Sequence, residues 1–187
     1  HLRTLHRAEP IGIDGTPEFS WMLSSPENNV VQSAYCLIVR APFHTVWDSG
    51  IVNSPQQSFL PYEGLPLQSK TKYTWQVTVW DQAGNAACGE GYFETGILHP
   101  EEWQARWIKN TLFRPEIPCP PFWTLKPPVQ FEKTFRLNGK IASARLYAAA
   151  HGIYRAYVND ARPDDREFAP EHTVYEKVLY YQTYPVE

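Results

Sequence analysis

The run KYTWQVTVWD at residues 72–81 constrains the fold more than any other stretch. Tyr73, Trp75, Val77 and Val79 alternate with Thr74, Gln76 and Thr78. A period of two puts apolar side chains on one face of an extended strand and polar ones on the other, which predicts a half-buried β-strand. Neighbouring segments repeat the signal. EFSWML (18–23) and AYCLIVR (34–40) read as strands, the second with Tyr35, Leu37 and Val39 on one face and Cys36 and Ile38 on the other. Turn residues at 48–50 (DSG) and 81–85 (DQAGN) divide the strands, and GYFETG (91–96) follows the second turn. The 17 prolines against 10 glycines, with a single methionine, disfavour long helices. Short strands with no amphipathic helix between them predict a β-sandwich.

LPLQSKTKYTWQVTVWD sharpens this: a leucine, a short polar turn and then Tyr73 at a strand start resemble the fibronectin type III pattern. In that pattern Tyr73 is expected to bond back to the preceding corner. In HPEEWQARW (99–107) a short helix is predicted, with Pro100 at its start and Glu101 and Glu102 in its first turn. RPEIPCPPFWTLKPP, with six prolines between Arg114 and Pro128, reads as an extended connector pinned by Trp123. Strands are predicted again at 129–137, 141–150, 152–160 and 177–186. Four strands fall short of both layers of a sandwich. The expected fold is therefore all-β with two β-sandwich modules. These are an immunoglobulin or fibronectin type III-like module at 1–98, a linker at 99–128, and a truncated jelly-roll-like sandwich at 129–187.

Composition excludes some function classes. The formal net charge of −3 offers no footprint for nucleic acid. No apolar run approaches the ~18 residues that span a bilayer. The opening HLRTLHRAEPIGID lacks the apolar centre of an export signal, which leaves cytoplasmic and secreted locations both open. Cys36, Cys88 and Cys119 are odd in number and have no CxxC spacing, so free and mostly buried thiols are expected. The six histidines form no i, i+4 pair, and no HExxH, GxSxG or phosphate loop occurs.

NDARPDDREFAPEHTVYEK (159–177) gathers Asp160, Asp164, Asp165, Glu167, Glu171 and Glu176. A catalytic pair is disfavoured, because Asp164 and Asp165 are neighbours on a loop and nothing holds them on opposite faces of a sugar. Calcium suits such a loop better, since it takes carboxylates and loop carbonyls. A solvated packing loop is the plain alternative. Trp47, Trp80, Trp103, Trp107 and Trp123 are candidates for sugar stacking, Trp80 because it falls on the polar face of its strand.

PIGIDGTPEFSWML, VWDSGIV, YTWQVTVWD, GYFETGIL, WQARWI, VQFEKTFRL, SARLYAAAHGIYRAYVND and LYYQTYPV occur in an order that resembles the amino-terminal part of bacterial α-L-rhamnosidases, glycoside hydrolase family 78. The resemblance implies a sandwich, then a jelly roll related to carbohydrate-binding modules, then an (α/α)6 barrel downstream that carries the catalytic acids. It implies inverting removal of terminal α-L-rhamnose, which needs two carboxyl groups separated by a water. This chain is then expected to be a non-catalytic fragment, inactive alone, that supports and orients the barrel of the same polypeptide. In some members the jelly roll binds rhamnose with calcium through a loop close to NGxxVGDxxLAPGWTDY. Asn159, Asp165, Ala169, Pro170, Thr173 and Tyr175 match that run, while Asp160, Asp164 and Glu171 replace its glycines and His172 its tryptophan. The implied sugar-binding candidates are Asp165, Asp164 and Trp80, and the calcium candidates Asp165 and Asp164; no cofactor is required. Expected partners are the barrel, rhamnosides, and a second copy through exposed strand edges at 129–187. No nucleic acid or membrane partner is expected. The rival readings are a carbohydrate-binding module and an adhesion-type protein-interaction module.

Overall fold

Strand pairing, all of it antiparallel within the sheets, organises the chain in a computed structural model that describes residues 1–111 and 128–186. Among these residues the strands are β1 (Leu2–Thr4), β2 (Glu18–Trp21), β3 (Gln32–Arg40), β4 (Thr45–Asp48), β5 (Leu60–Pro61), β6 (Lys72–Asp81), β7 (Ala86–Glu94), β8 (Arg145–Ala149) and β9 (Tyr181–Pro185). β1-β2-β5 and β4-β3-β6-β7 are the two sheets of the first sandwich, and β8-β9 is a separate ladder. The described residues fall into two compact units, His1–Trp103 with Ser143–Glu187, and Gln104–Ala142.

The alternation in β6 does what its period requires. Tyr73, Trp75, Val77 and Val79 are buried, and with Phe19, Leu37, Val39 and Phe93 they form the core between the two sheets. Phe19 meets Trp75 at 4.9 Å between ring centroids, and Tyr73 stacks on Phe93 at 5.2 Å. Gln32, polar and buried, has its hydrogen bonds made: its Oε1 accepts from Trp21 Nε1 at 2.9 Å, and its Nε2 donates to the carbonyls of Ser54 and Gln56. The turns form as their residues suggest. Asp48 Oδ1 accepts from Gly50 N, and Asp81 Oδ1 from Ala83 N and Asn85 N.

Tyr73 is 1% exposed and its Oη accepts from Gln68 N at 2.7 Å, closing the corner before β6. Tyr73→Phe keeps the ring and orphans that amide. The expected loss is about 1 kcal/mol, read as a lower urea midpoint with an unchanged slope.

Elsewhere the structure departs from the sequence pattern. Residues 129–137 form no strand: Val129, Phe131, Phe135 and Leu137 stay exposed. Alternation gives a segment two faces but supplies no neighbour to bond with, and no ladder reaches this one among the described residues. The strand predicted at 152–160 is reduced to isolated bridges, Tyr154 with Ala169 and Val158 with Ala161. Phe168 and Glu171, on either side of Ala169-Pro170, take left-handed backbone at φ +60° and +82°, which leaves the extended path a ladder needs. The strands predicted at 141–150 and 177–186 shrink to β8 and β9. The predicted short helix is a single 3₁₀ turn, Pro100–Glu102. Cys88 is exposed rather than buried, because it lies on the outer face of β7, and Cys36 is half-buried. The proline connector, Cys119 and most of its apolar residues, Trp123 included, lie outside the described residues.

Candidate functional site

The β8–β9 ladder has two faces, and each builds a different structure. Arg145, Tyr147, Tyr181 and Thr183 share one face by the pairing register, while Leu146, Ala148, Gln182 and Tyr184 share the other.

The first face is bonded to the first sandwich. Arg145 Nε and Nη2 both reach the Glu94 carboxylate at 2.9 Å, a bidentate pair, and Nη1 donates to the Ala144 carbonyl. The side chains are 24% exposed for Arg145 and 8% for Glu94. Ile97 N donates to Tyr181 Oη at 2.9 Å, and the edge of the Trp103 ring meets Tyr181 at 5.3 Å. Two glycines permit this approach. A Cβ on Gly96 would lie 2.1 Å from Tyr181 Oη, and one on Gly12, whose φ is +72°, would lie 2.3 Å from Thr183 Oγ1. Burial pushes the hydroxyl pKa values of Tyr147 and Tyr181 up. This junction was missed by sequence reasoning, but a signal was present. One acid in GYFET and one base in ASARLYAAA each stand alone in an apolar strand, and buried charges occur paired.

The second face carries the acidic loop. Tyr184 Oη is 3.0 Å from Tyr154 Oη, and Tyr154 N donates to the Ala169 carbonyl at 2.8 Å. Arg166 Nη1 donates to Gln182 Oε1. Glu167 accepts from Arg155 Nη2 at 2.6 Å and from Arg162 Nη1 at 2.9 Å. Asp164 Oδ1 caps Arg166 N at 3.1 Å, and Oδ2 lies 3.7 Å from Arg166 Nε. Two of the loop's acids, Asp164 and Glu167, thus answer its own arginines. The cavity among Tyr154, Arg162, Asp164, Arg166 and Tyr184 is about 10 Å³, room for one water and far below the several hundred Å³ of a small-molecule site.

The bonds from Arg155 and then Arg162 hold the Glu167 carboxyl below its ordinary value of 4.5. Its contribution to the loop is therefore complete above that value and is lost as pH falls through the lowered pKa. An NMR titration of Glu167 is expected to give a midpoint under 4.5, which a midpoint at or above it would contradict.

The sequence candidates do not converge. Asp164 faces Arg166, and Asp165 is exposed. Trp80 is half-buried on the outer face of β6 between Ala34 and Ala86, at the opposite end of that strand from Lys72, whose partner is Glu94. Eight residues of strand separate the two ends, about 26 Å. Among the described residues no group of three or more His, Cys, Asp and Glu side chains is placed to hold a metal ion. Of the other tryptophans, Trp47 packs on Phe19 and Tyr62, Trp103 meets Tyr181, and Trp107 is exposed.

The positions where the resembled run carries glycine leave a backbone trace. Asn159 and Asp160 make a two-residue turn, φ +48° and +63°, closed by reciprocal Val158–Ala161 bonds, and Glu171 sits at φ +82°. Two of those three positions, 160 and 171, therefore hold the left-handed backbone that glycine adopts without strain. Glu171→Gly is expected to raise stability by about 1 kcal/mol and Asp160→Gly by less, since Asp tolerates this region better. Thermal melts of the two variants check this.

Comparison with known proteins accounts for both halves of the described structure. Residues 1–99 match the family described as Rha78A-like, N-terminal immunoglobulin domain, and residues 139–187 the Alpha-L-rhamnosidase N-terminal domain. An Alpha-L-rhamnosidase of Formosa agariphila is 32% identical over 186 residues, spanning 95% of this chain and 20% of that protein. The structure of an alpha-L-rhamnosidase from Dictyoglumus thermophilum superposes with a TM-score of 0.83 at 29% identity, over 99% of this chain and 23% of that one. A Streptomyces avermitilis alpha-L-rhamnosidase, solved with L-rhamnose, is 34% identical over 58% of this chain and 11% of its own, with a TM-score of 0.56. The chain thus spans about a fifth of the length of the curated relatives it matches. Through residues 1–99, more than half its length, the chain belongs to the Rha78A-like N-terminal immunoglobulin domain family.

Proposed function

We propose that this chain is the rigid, non-catalytic amino-terminal scaffold of an α-L-rhamnosidase, a longer polypeptide that removes terminal α-L-rhamnose by inversion. The proposed organisation is a fibronectin type III-like sandwich at 1–98, a linker at 99–128 and a jelly-roll-like module at 129–187. The family match at 1–99 supports the first boundary, and the match at 139–187 falls within the last module. The observation that carries the reading is the junction. A bidentate, mostly buried Arg145–Glu94 pair and the Ile97–Tyr181 bond join the two modules at points 51 and 84 residues apart in sequence. Such a joint fixes an angle, which a scaffold needs and a flexible tether does not. Catalysis then belongs to carboxyl groups elsewhere in the polypeptide.

Residual dipolar couplings test this. Amides of β6 and of β8–β9 are expected to fit one alignment tensor, and two independent tensors would sink the scaffold reading. In the rival reading Asp165, Asp164 and Trp80 bind a rhamnoside, with calcium on the two aspartates. Titrating the 187-residue chain with L-rhamnose, with and without calcium, separates the two by tryptophan fluorescence. The scaffold reading expects no saturable change, and a calcium-dependent one would favour the rival.

A further inference from the structure

We infer that the β3–β4 hairpin, together with Leu65, is a second docking point for the polypeptide beyond residue 187, placed beside the junction. This rests on the proposed function above.

Phe43, at the tip of that hairpin, is 98% exposed, and Leu65 is 58% exposed. They are neighbours through β4: Ala41 N donates to the His44 carbonyl to close the tip, and Leu65 N donates to the Val46 carbonyl at 2.9 Å. Pro42 and Pro66, also exposed, extend the patch. A fully exposed phenylalanine held on a closed hairpin presents a large apolar area in a fixed place, the character of an interaction site.

Strand register says where the patch lies. Arg40, which leads into the hairpin, pairs with Thr74, and two residues earlier on β6 Lys72 pairs with Glu94. Hairpin and junction therefore occupy the same end of the sandwich, two strand spacings apart, about 10 Å. The patch therefore lies at the end of the sandwich where this chain already makes an interface. The relatives are about five times as long as the region matched here, so a large folded body of the same polypeptide is the occupant the observations favour. A body that follows the second module would reach this end of the sandwich first.

Hydrogen exchange on the longer polypeptide and on the 187-residue chain tests the inference. Peptides covering 41–46 and 62–66 are expected to exchange at least tenfold more slowly in the longer form. Phe43→Ser is expected to remove that protection there while leaving the melting temperature of the 187-residue chain unchanged. Equal exchange in both forms would overturn the inference. So would protection that appears in the 187-residue chain as its concentration rises, since a second copy would then be the occupant. Hydrolysis of an aryl α-L-rhamnoside by the longer form is scored separately. Activity without hairpin protection removes this inference and leaves the proposed function; protection without activity does the reverse.

Discussion

Replacing Arg145 with methionine is expected to destabilise the protein by about 3 kcal/mol, the low end of the range for breaking a buried ion pair. The Glu94 carboxylate would remain in place, 8% exposed, having lost both hydrogen bonds from the guanidinium. The low end applies because Arg145 keeps some contact with solvent, which screens the pair. Arg145→Lys is expected to recover only part of the loss, since an ammonium cannot reproduce the planar fork that meets both carboxylate oxygens. Combining Arg145→Met with Glu94→Leu removes both charges and is expected to be more stable than Arg145→Met alone. Urea denaturation of the three variants measures this. A loss under about 0.5 kcal/mol for Arg145→Met would mark the pair as a surface contact.

Gly96→Ala is the second large effect. The new methyl would sit 2.1 Å from Tyr181 Oη and 3.1 Å from the Gly12 carbonyl oxygen, so Tyr181 must leave. Its departure breaks the bond from Ile97 N and the ring contact with Trp103. The expected cost is about 2–3 kcal/mol, in the range for overpacking a tight contact. Amide shifts should follow in β9 and at 97–103 but not in the β3–β6 centre. The double variant Gly96→Ala with Tyr181→Phe tests the cause. Removing Oη makes room for the methyl, so the pair should cost at least about 1 kcal/mol less than the sum of the single changes. Strict additivity would place the strain elsewhere.

Much of the first sandwich was legible in the chain, because its signals are local. The alternation in β6 names its buried face, and the corner tyrosine, the Asp48–Gly50 turn and the turn after Asp81 need only residues close in sequence. The second module was less legible for a matching reason. VQFEKTFRL alternates as well as many strands do, yet it forms none, since a strand is completed by its neighbour and a pattern cannot name one. GIYRAYVND fails for a subtler reason: its partner segment turns to left-handed backbone at Phe168 and Glu171, which ends the ladder after one bridge at Ala169.

The acidic loop shows the same division. Its crowd of carboxylates was visible at once, but their use was not. Arg155, Arg162 and Arg166 stand among those acids in the sequence, and only the folded loop assigns Glu167 to the first two and Asp164 to the third. Family order and the all-β class were set by the sequence itself, because periodicity, turn chemistry and motif order survive without coordinates. The tertiary structure alone decided that Glu94 meets Arg145, that Gly96 yields to Tyr181 and that Phe43 stands exposed at the same end of the sandwich. Those are contacts between residues 51 or more apart, or placements set by strand register, and no local pattern specifies either.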